Sequence, residues 1–359
     1  MEKGKLFTYS VDDLIEKPVE WEECGKCLSA FDKQLRNAWD KAVKDGLFRY
    51  SLDDLVYKKL NLQQNEDFPV PCVAQLNPQR AVNRRKRECF ESMNDDFDEK
   101  QFNFTKIARQ EILMEVCLKS DDKVITKEKT EILLNISPIE YGHILIATNL
   151  SDCLPQKLTV KSLQIAFDIL QLSSQPGFRL GFNSLHAWAS INHLHFHGMY
   201  CDHEIFGDIL PAEYHLSSSC ALINIASPLP AFVFVVPDGN KGRRKIAEYV
   251  VKVTDYLHQT STPYNILLNR GKLLRKDGTQ SDKWTTRALV FPRKSSKKLQ
   301  PAEPFDVACI EVGGHFPVKA KASFEDLTNT KVSNCLKEAA LEEDVFNDIV
   351  QYVKILLRG

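Results

Sequence analysis

Histidine occupies every second position of the run His193-Leu194-His195-Phe196-His197, and that alternation limits how the surrounding chain can fold. A period of two is strand spacing. On a strand, residues two apart project from the same face, so the run predicts three imidazoles on one side. Leu194 and Phe196 then point the other way, into a core. Imidazole titrates near neutrality and serves as nucleophile, hydrogen-bond donor or metal ligand. Three on one face read as a reactive surface.

Flanking segments extend the pattern. Ile132-Leu133-Leu134-Asn135-Ile136-Ser137-Pro138 followed by Tyr141-Gly142-His143-Ile144-Leu145-Ile146 reads as strand, Pro-initiated turn and second apolar strand. Pro176 and Gly177 mark a turn ahead of Asn183 and Ser190, whose side chains are placed to donate to an anion near the histidines. Ser29 to Asp45 carries Phe31, Leu35, Trp39 and Ala42 at helical steps, with Gly46 as the stop. Thr159 caps a helix bearing Val160, Leu163, Phe167 and Leu170. The order then recurs: a strand at 231–236, a helix through Ile246, Val250, Val253 and Leu257, and strands at 265–269 and 287–291 around a polar loop at 272–283. A final helix carries Phe346, Ile349, Val350 and Val353. Strands with antiparallel turns and packed helices predict an α+β fold.

Charge excludes some partners. The 47 basic and 48 acidic residues nearly cancel, which gives no electrostatic case for nucleic acid or a membrane surface. The run Arg84-Arg85-Lys86-Arg87 is the exception; it reads as a solvated face, with phosphate contact as the other option. No apolar run reaches the ~18 residues of a membrane span. Met1 to Ser10 lacks the apolar stretch of a signal peptide. The ten cysteines show no framework pattern, as in a chain kept reduced in the cytoplasm. Cys24 and Cys27 form a CxxC pair that could supply half a metal site, with His143 or His193 completing it. No second CxxC follows, so the pair reads as two free thiols and no metal is expected.

The Asn135-to-Pro138 turn, His143 before an apolar strand, and the His193-to-His197 run together resemble the histidine-triad superfamily. The resemblance extends over most of the chain to its GDP-hexose phosphorylases, through Gly46-Leu47-Phe48-Arg49-Tyr50, Val73-Ala74-Gln75-Leu76-Asn77, Phe102-Asn103-Phe104-Thr105-Lys106, Phe291-Pro292-Arg293-Lys294 and Gly313-Gly314-His315-Phe316-Pro317. The ending His197-Gly198-Met199-Tyr200 is more similar to animal GDP-D-glucose phosphorylases than to plant GDP-L-galactose enzymes, which carry Gln at that position.

That resemblance implies a histidine-triad-like antiparallel sheet in two halves. The expected division is a helical and extended segment at 1–100, a catalytic half at 101–205, and a second, non-catalytic half at 206–359. It implies His195 as the nucleophile, His193 as its orienting neighbour, and His197 facing the phosphate oxygens or the leaving oxygen. Asn183 and Ser190 match phosphate contacts, Asn135 a ribose contact where relatives use Asp, and His143 a structural or substrate-proximal position. The implied reaction is phosphorolysis of GDP-D-glucose by inorganic phosphate through guanylyl-His195, with no cofactor; a homodimer is compatible. The histidine motif itself serves hydrolysis equally well. A triad hydrolase, a dinucleotide phosphorylase and a non-catalytic nucleotide-binding regulator stay open on the motif alone.

Overall fold

The computed structural model describes residues 5–63, 69–85, 88–120, 123–124, 129–209, 214–217, 220–223, 228–237, 239–274, 280–298 and 304–358. In chain order the strands are β1 Leu6–Tyr9, β2 Val56–Gln63, β3 Pro69–Leu76, β4 Ile112–Ser120, β5 Lys123–Val124, β6 Thr130–Leu134, β7 Ile144–Thr148, β8 Phe178–Asn183 and β9 Phe196–Tyr200. They continue as β10 Tyr214–His215, β11 Cys220–Ile223, β12 Ala231–Val236, β13 Tyr264–Leu274, β14 Gln280–Pro292 and β15 His315–Val318. The helices are α1 Ala30–Lys44, α2 Pro78–Asn83, α3 Val160–Leu172, α4 Phe206–Ile209, α5 Asn240–Gln259, α6 Lys321–Glu325, α7 Asn329–Ala339 and α8 Glu343–Leu356. None is long and apolar enough to cross a membrane.

Local chemistry accounts for the helices that matter here. Ser29 caps α1 by accepting from the Asp32 N–H, and Phe31, Leu35, Trp39 and Ala42 form its buried stripe. Thr159 caps α3 by accepting from Ser162 N–H, and the helix buries Leu163, Phe167 and Leu170.

One twelve-stranded sheet runs β1-β4-β6-β7-β9-β8-β13-β14-β12-β11-β10, with β5 on β4. Its centre is a topological repeat. The first half runs β6, β7, α3, β8, β9 and lays its strands out as β6-β7-β9-β8; the second runs β11, β12, α5, β13, β14 and lays them out as β11-β12-β14-β13. Antiparallel pairing of β8 with β13 joins the halves, Asn183 opposite Asn265 and Leu180 opposite Leu268. Strand β14, in the place of β9, carries Leu289 and Phe291, fully buried, and contains no histidine. Of these two equivalent strands, β9 alone carries a histidine, His197.

The helices α1, α3, α5 and α8 cover one sheet face over the main core. On the other face the small sheet β2-β3-β15 packs over a second core that includes Met199, Leu267 and Phe316. Parallel pairing of β15 with β3 sets Pro317 opposite Gln75 and Val318 opposite Leu76. That register carries the 319 region to the start of α2, where Asn77 N–H donates to Val318 O at 2.9 Å.

Two expectations are corrected. Strand β9 begins at Phe196, so His193 and His195 precede the ladder instead of lying in it. Their segment is drawn off by other partners: Leu194 N–H donates to Leu154 O at 2.8 Å, and His195 N–H to Gln156 Oε1 at 2.9 Å. The stretch at 272–283, read as a polar loop, is strand at both ends, since β13 runs to Leu274 and β14 starts at Gln280; 275–279 lie outside the described residues. Lys272 pairs opposite Trp284 and lies over its ring at 4.4 Å, which lets a charged residue extend the hairpin.

Candidate active site

A cavity of about 300 Å³ opens on the sheet face that carries His195 and His197. Five of the seven residues expected from the sequence line it: His195, His197, Asn183, Ser190 and Asn135. His143 and His193 lie behind this wall, and each takes part through hydrogen bonds. Leu194 and Phe196 point into the core beneath α1 and α3, as the alternation predicts.

The bonds assign each imidazole tautomer. His195 Nδ1 lies 2.7 Å from His193 O, an acceptor, so Nδ1 carries the proton and Nε2 keeps a lone pair. His193 Nδ1 accepts from Phe104 N–H at 3.2 Å, which places that ring's proton on Nε2. The backbone carbonyl of His193, not its ring, therefore orients His195. Phe104 closes the packing, its ring centroid 5.0 Å from His195 and 5.4 Å from His193.

A second relay stands behind His197. Ile139 N–H donates to His143 Nδ1 at 2.8 Å, so His143 carries its proton on Nε2. That proton points to His197 Nδ1 at 3.0 Å and leaves His197 with an N–H at Nε2. Asn135 Nδ2 stands 3.1 Å from His143 Nε2, but two donors cannot share that position. Asn135 Oδ1 accepts from Ser137 N–H at 3.0 Å, which fixes the amide with its nitrogen toward the ring. One face thus presents a lone pair on His195 and an N–H on His197, with ring centroids 5.2 Å apart.

Burial keeps these rings neutral. It pushes His195 and His193 down to about 4, and holds His143 and His197 well below the ordinary imidazole range. For His197 the charge of His195 and then that of Arg80 add to the same direction. Turnover should accordingly be flat from about pH 6 to 8 and fall only in acid as His195 protonates, which a kcat/KM pH profile checks.

Stability should follow a related course. Burial also lowers His203, His258 and His315. An unfolded chain protonates these seven histidines near 6.5, whereas the folded chain does so only at lower pH, near 4 for His193, His195, His203 and His258 and well below the ordinary range for His143, His197 and His315. Between those values the unfolded state binds more protons, so stability falls as pH drops. Fewer groups oppose this, chiefly Glu140 and Glu311, which burial raises to about 7. Thermal melts at pH 7 and pH 5 should show the lower Tm at pH 5.

Several wall residues escaped the sequence reading. Arg80, Arg84 and Arg85 from α2 and its exit line the cavity, as do Asp306, Cys309, Glu311 and Lys319 from the second half. The basic run read as solvated is thus corrected at Arg84 and Arg85; Lys86 and Arg87 lie outside the described residues. Arg85 lies over the Phe102 ring at 3.2 Å and Arg84 Nη1 lies 3.5 Å from Asp306 Oδ2, contacts a local pattern cannot reveal. Gly181 lets the second-half wall close on β8: a Cβ there would stand 2.5 Å from Cys309 Sγ. Asn183 Oδ1 accepts from Cys309 N–H at 2.8 Å and from Asn265 Nδ2 at 2.7 Å, pinning that wall.

Gln156 is a further positioning residue. Buried beside the nucleophile, it accepts from His195 N–H at 2.9 Å and donates to His195 O at 3.1 Å and Asn183 O at 2.9 Å. Gln156→Leu should lower kcat by about 10- to 100-fold through misplacement of His195, with little change in KM; steady-state kinetics separates the two.

Cys24 Sγ lies 3.5 Å from Asp202 Oδ1 and Cys27 is exposed. His143 and His193 are each bonded within the site through Nδ1. Among the described residues, no group of three His, Cys, Asp or Glu side chains is arranged to hold a metal ion. Other cations are engaged away from the histidines: Arg287 and Arg293 are buried on backbone carbonyls, Lys106 binds carbonyls of residues 99–101, and Lys294 pairs with Glu342.

A neutral imidazole with its lone pair at the wall of a cationic cavity, on an antiparallel two-half sheet, defines a group-transfer enzyme of the histidine-triad class. The model for the GDPGP1-like N-terminal domain matches residues 30–199, and that for the GDPGP1-like C-terminal domain matches 213–358. The chain belongs to the GDPGP1-like family. It is 34% identical to GDP-D-glucose phosphorylase 1 of Bos taurus over 94% of this chain and 89% of that one. To the Xenopus laevis protein of the same name it is 30% identical, over 97% and 96%. The fold is shared with yeast Ap4A phosphorylase Apa2 in complex with Ap4A, at a TM-score of 0.60 and 15% identity, covering 88% of this chain and 99% of that one.

Proposed function

We propose that this enzyme is a GDP-D-glucose phosphorylase acting through a guanylylated His195. The carrying observation is the 2.7 Å bond from His195 Nδ1–H to His193 O, which leaves the Nε2 lone pair to attack phosphorus. In the first step Nε2 forms a bond to the α-phosphorus of GDP-D-glucose, and glucose 1-phosphate departs with the P–O electron pair. In the second step an oxygen of inorganic phosphate attacks the guanylyl phosphorus, the P–N bond breaks, and its electron pair returns to Nε2. GDP is released and the imidazole is neutral again. An uncharged nucleophile suits an anionic substrate, because no charge repels the diphosphate.

In this reading His197 donates its Nε2–H to an α-phosphate oxygen, and the Asn183 and Ser190 side chains donate beside it. Such donors typically contribute ~100- to 1,000-fold each. Asn135 meets the ribose, and the guanine takes the apolar side formed by Phe102, Phe104, Ile107 and Leu133. Residues 101–205 supply the chemistry and 206–359 the opposite wall. A cytosolic location fits the ten cysteines, none of which is in a disulfide.

The test is product analysis with purified enzyme and GDP-D-glucose. GDP and glucose 1-phosphate appearing together, only when phosphate is present, is the expected outcome. GMP formed at the same rate with or without phosphate would make the enzyme a hydrolase.

A further inference from the structure

Phosphorolysis demands more than the histidines supply, because water at ~55 M competes for the guanylyl group unless an acceptor anion is held in line. The cavity contains a cluster suited to that task and remote from the histidines in sequence. Arg80 and Arg84 come from α2 and its exit, and Lys319 follows β15 in the second half. Parallel pairing of β3 with β15 brings the two segments together, with Asn77 N–H on Val318 O and Asn77 Oδ1 capping α2 at Arg80 N–H.

Asp306 stands between two of these cations, 3.5 Å from Arg84 Nη1 and 2.8 Å from Lys319 Nζ. The third, Arg80, donates through Nη1 to Ser137 O, and its charge is felt at both His197 and Glu311. Arg80, Arg84 and Lys319 outnumber the carboxylates beside them, Asp306 and Glu311, and leave net positive charge toward a phosphate dianion, while Glu111 lines the cavity within reach of Arg85. Burial raises the Glu311 carboxyl to about 7, so it is only partly ionised at neutral pH.

We propose that Arg80, Arg84 and Lys319 form the acceptor-selecting site, holding the β-phosphate of the donor in the first transfer and inorganic phosphate in the second. The inference rests on the two-step reading above. Microscopic economy supports one site for both: the phosphate of departing glucose 1-phosphate and the incoming phosphate each lie opposite His195 on the same phosphorus. The site also gives the second half a role although its own central strand lacks histidine. Without residues 306–319 the acceptor would have half a cradle.

The test separates acceptor choice from adduct formation. Enzyme is first guanylylated with GDP-D-glucose labelled in the guanosine, freed of glucose 1-phosphate, and then chased with buffer or with increasing inorganic phosphate. Wild-type adduct should be converted to GDP in a saturable, phosphate-dependent manner. Arg84→Ala and Lys319→Ala alter side chains that are about one-third exposed (28% and 33%), and both variants should still form adduct, more slowly. Their chase should need about 10- to 100-fold more phosphate and release mainly GMP at the concentration where wild type gives GDP. Arg84→Lys should lie between. Unchanged phosphate dependence and an unchanged GDP-to-GMP ratio in both alanine variants would overturn the proposal. Absence of any wild-type adduct would instead overturn the two-step reading, and the acceptor site with it.

Discussion

Replacing His195 by alanine should abolish production of GDP and glucose 1-phosphate, with a loss of at least about 10⁴-fold in kcat. The size follows from the division of labour in the site. His195 alone combines a proton held on Nδ1 by His193 O with an uncommitted Nε2 at the cavity wall. His197 has an imidazole of the same kind, but its Nδ1 already accepts from His143, so it presents an N–H. His197→Ala should therefore cost only about 100- to 1,000-fold, the loss of one charge-stabilising donor. His195→Ala should leave the fold in place, since its backbone remains fastened to Gln156, and thermal melting verifies this. Rate assays on the two variants check the ordering.

The largest loss of stability is expected at Arg179→Met, about 3–5 kcal/mol by urea unfolding. Arg179 on β8 is fully buried and binds Asp208 through Nε at 3.1 Å and Nη2 at 2.5 Å. It also donates to Gly177 O, Cys201 O and His203 O, tying the start of β8 to the exit of β9. Asp208 raises the Arg179 pKa against the opposing effect of burial, so the guanidinium keeps its charge. Truncating the arginine leaves the Asp208 carboxylate buried, with Asn269 Nδ2 and Ile205 N–H as donors among the described residues. A double variant, Arg179→Met with Asp208→Leu, removes the stranded charge and should recover much of the loss.

The boundary between what local pattern reveals and what it hides is visible residue by residue. Helices α1 and α3 were legible because a cap and an apolar stripe at three- and four-residue steps are local properties: Ser29 with Phe31, Leu35 and Trp39, Thr159 with Leu163 and Phe167. Strand β12 was legible as a continuous apolar run, Ala231–Val236. The alternation at 193–197 correctly pointed Leu194 and Phe196 into the core yet overextended the strand. Which N–H joins a ladder is decided by partners such as Leu154 O and Gln156, forty residues or so upstream, and periodicity does not report them.

The same limit separates the two sides of the site. Asn183 and His197 are on the adjoining strands β8 and β9, His195 stands just ahead of β9, and a motif can find them. Arg80, Arg84 and Lys319 converge only through the parallel β3–β15 pairing, which no segment encodes alone. A basic run beside a balanced net charge looks like surface until that pairing folds it over the histidines. Tautomers are hidden for a similar reason, since each depends on which backbone group meets a ring nitrogen: His193 O for His195, Phe104 N–H for His193, Ile139 N–H for His143.

The most direct test of the central claim is to locate the covalent intermediate. Enzyme mixed with GDP-D-glucose in phosphate-free buffer, quenched under conditions that preserve phosphoramidate bonds and digested, should yield one peptide carrying GMP, with fragmentation placing it on His195. Adding phosphate before the quench should remove the label as GDP forms. A label on His193 or His197 would contradict the nucleophile assignment, and rapid GDP production with no labelled peptide would contradict the two-step mechanism itself.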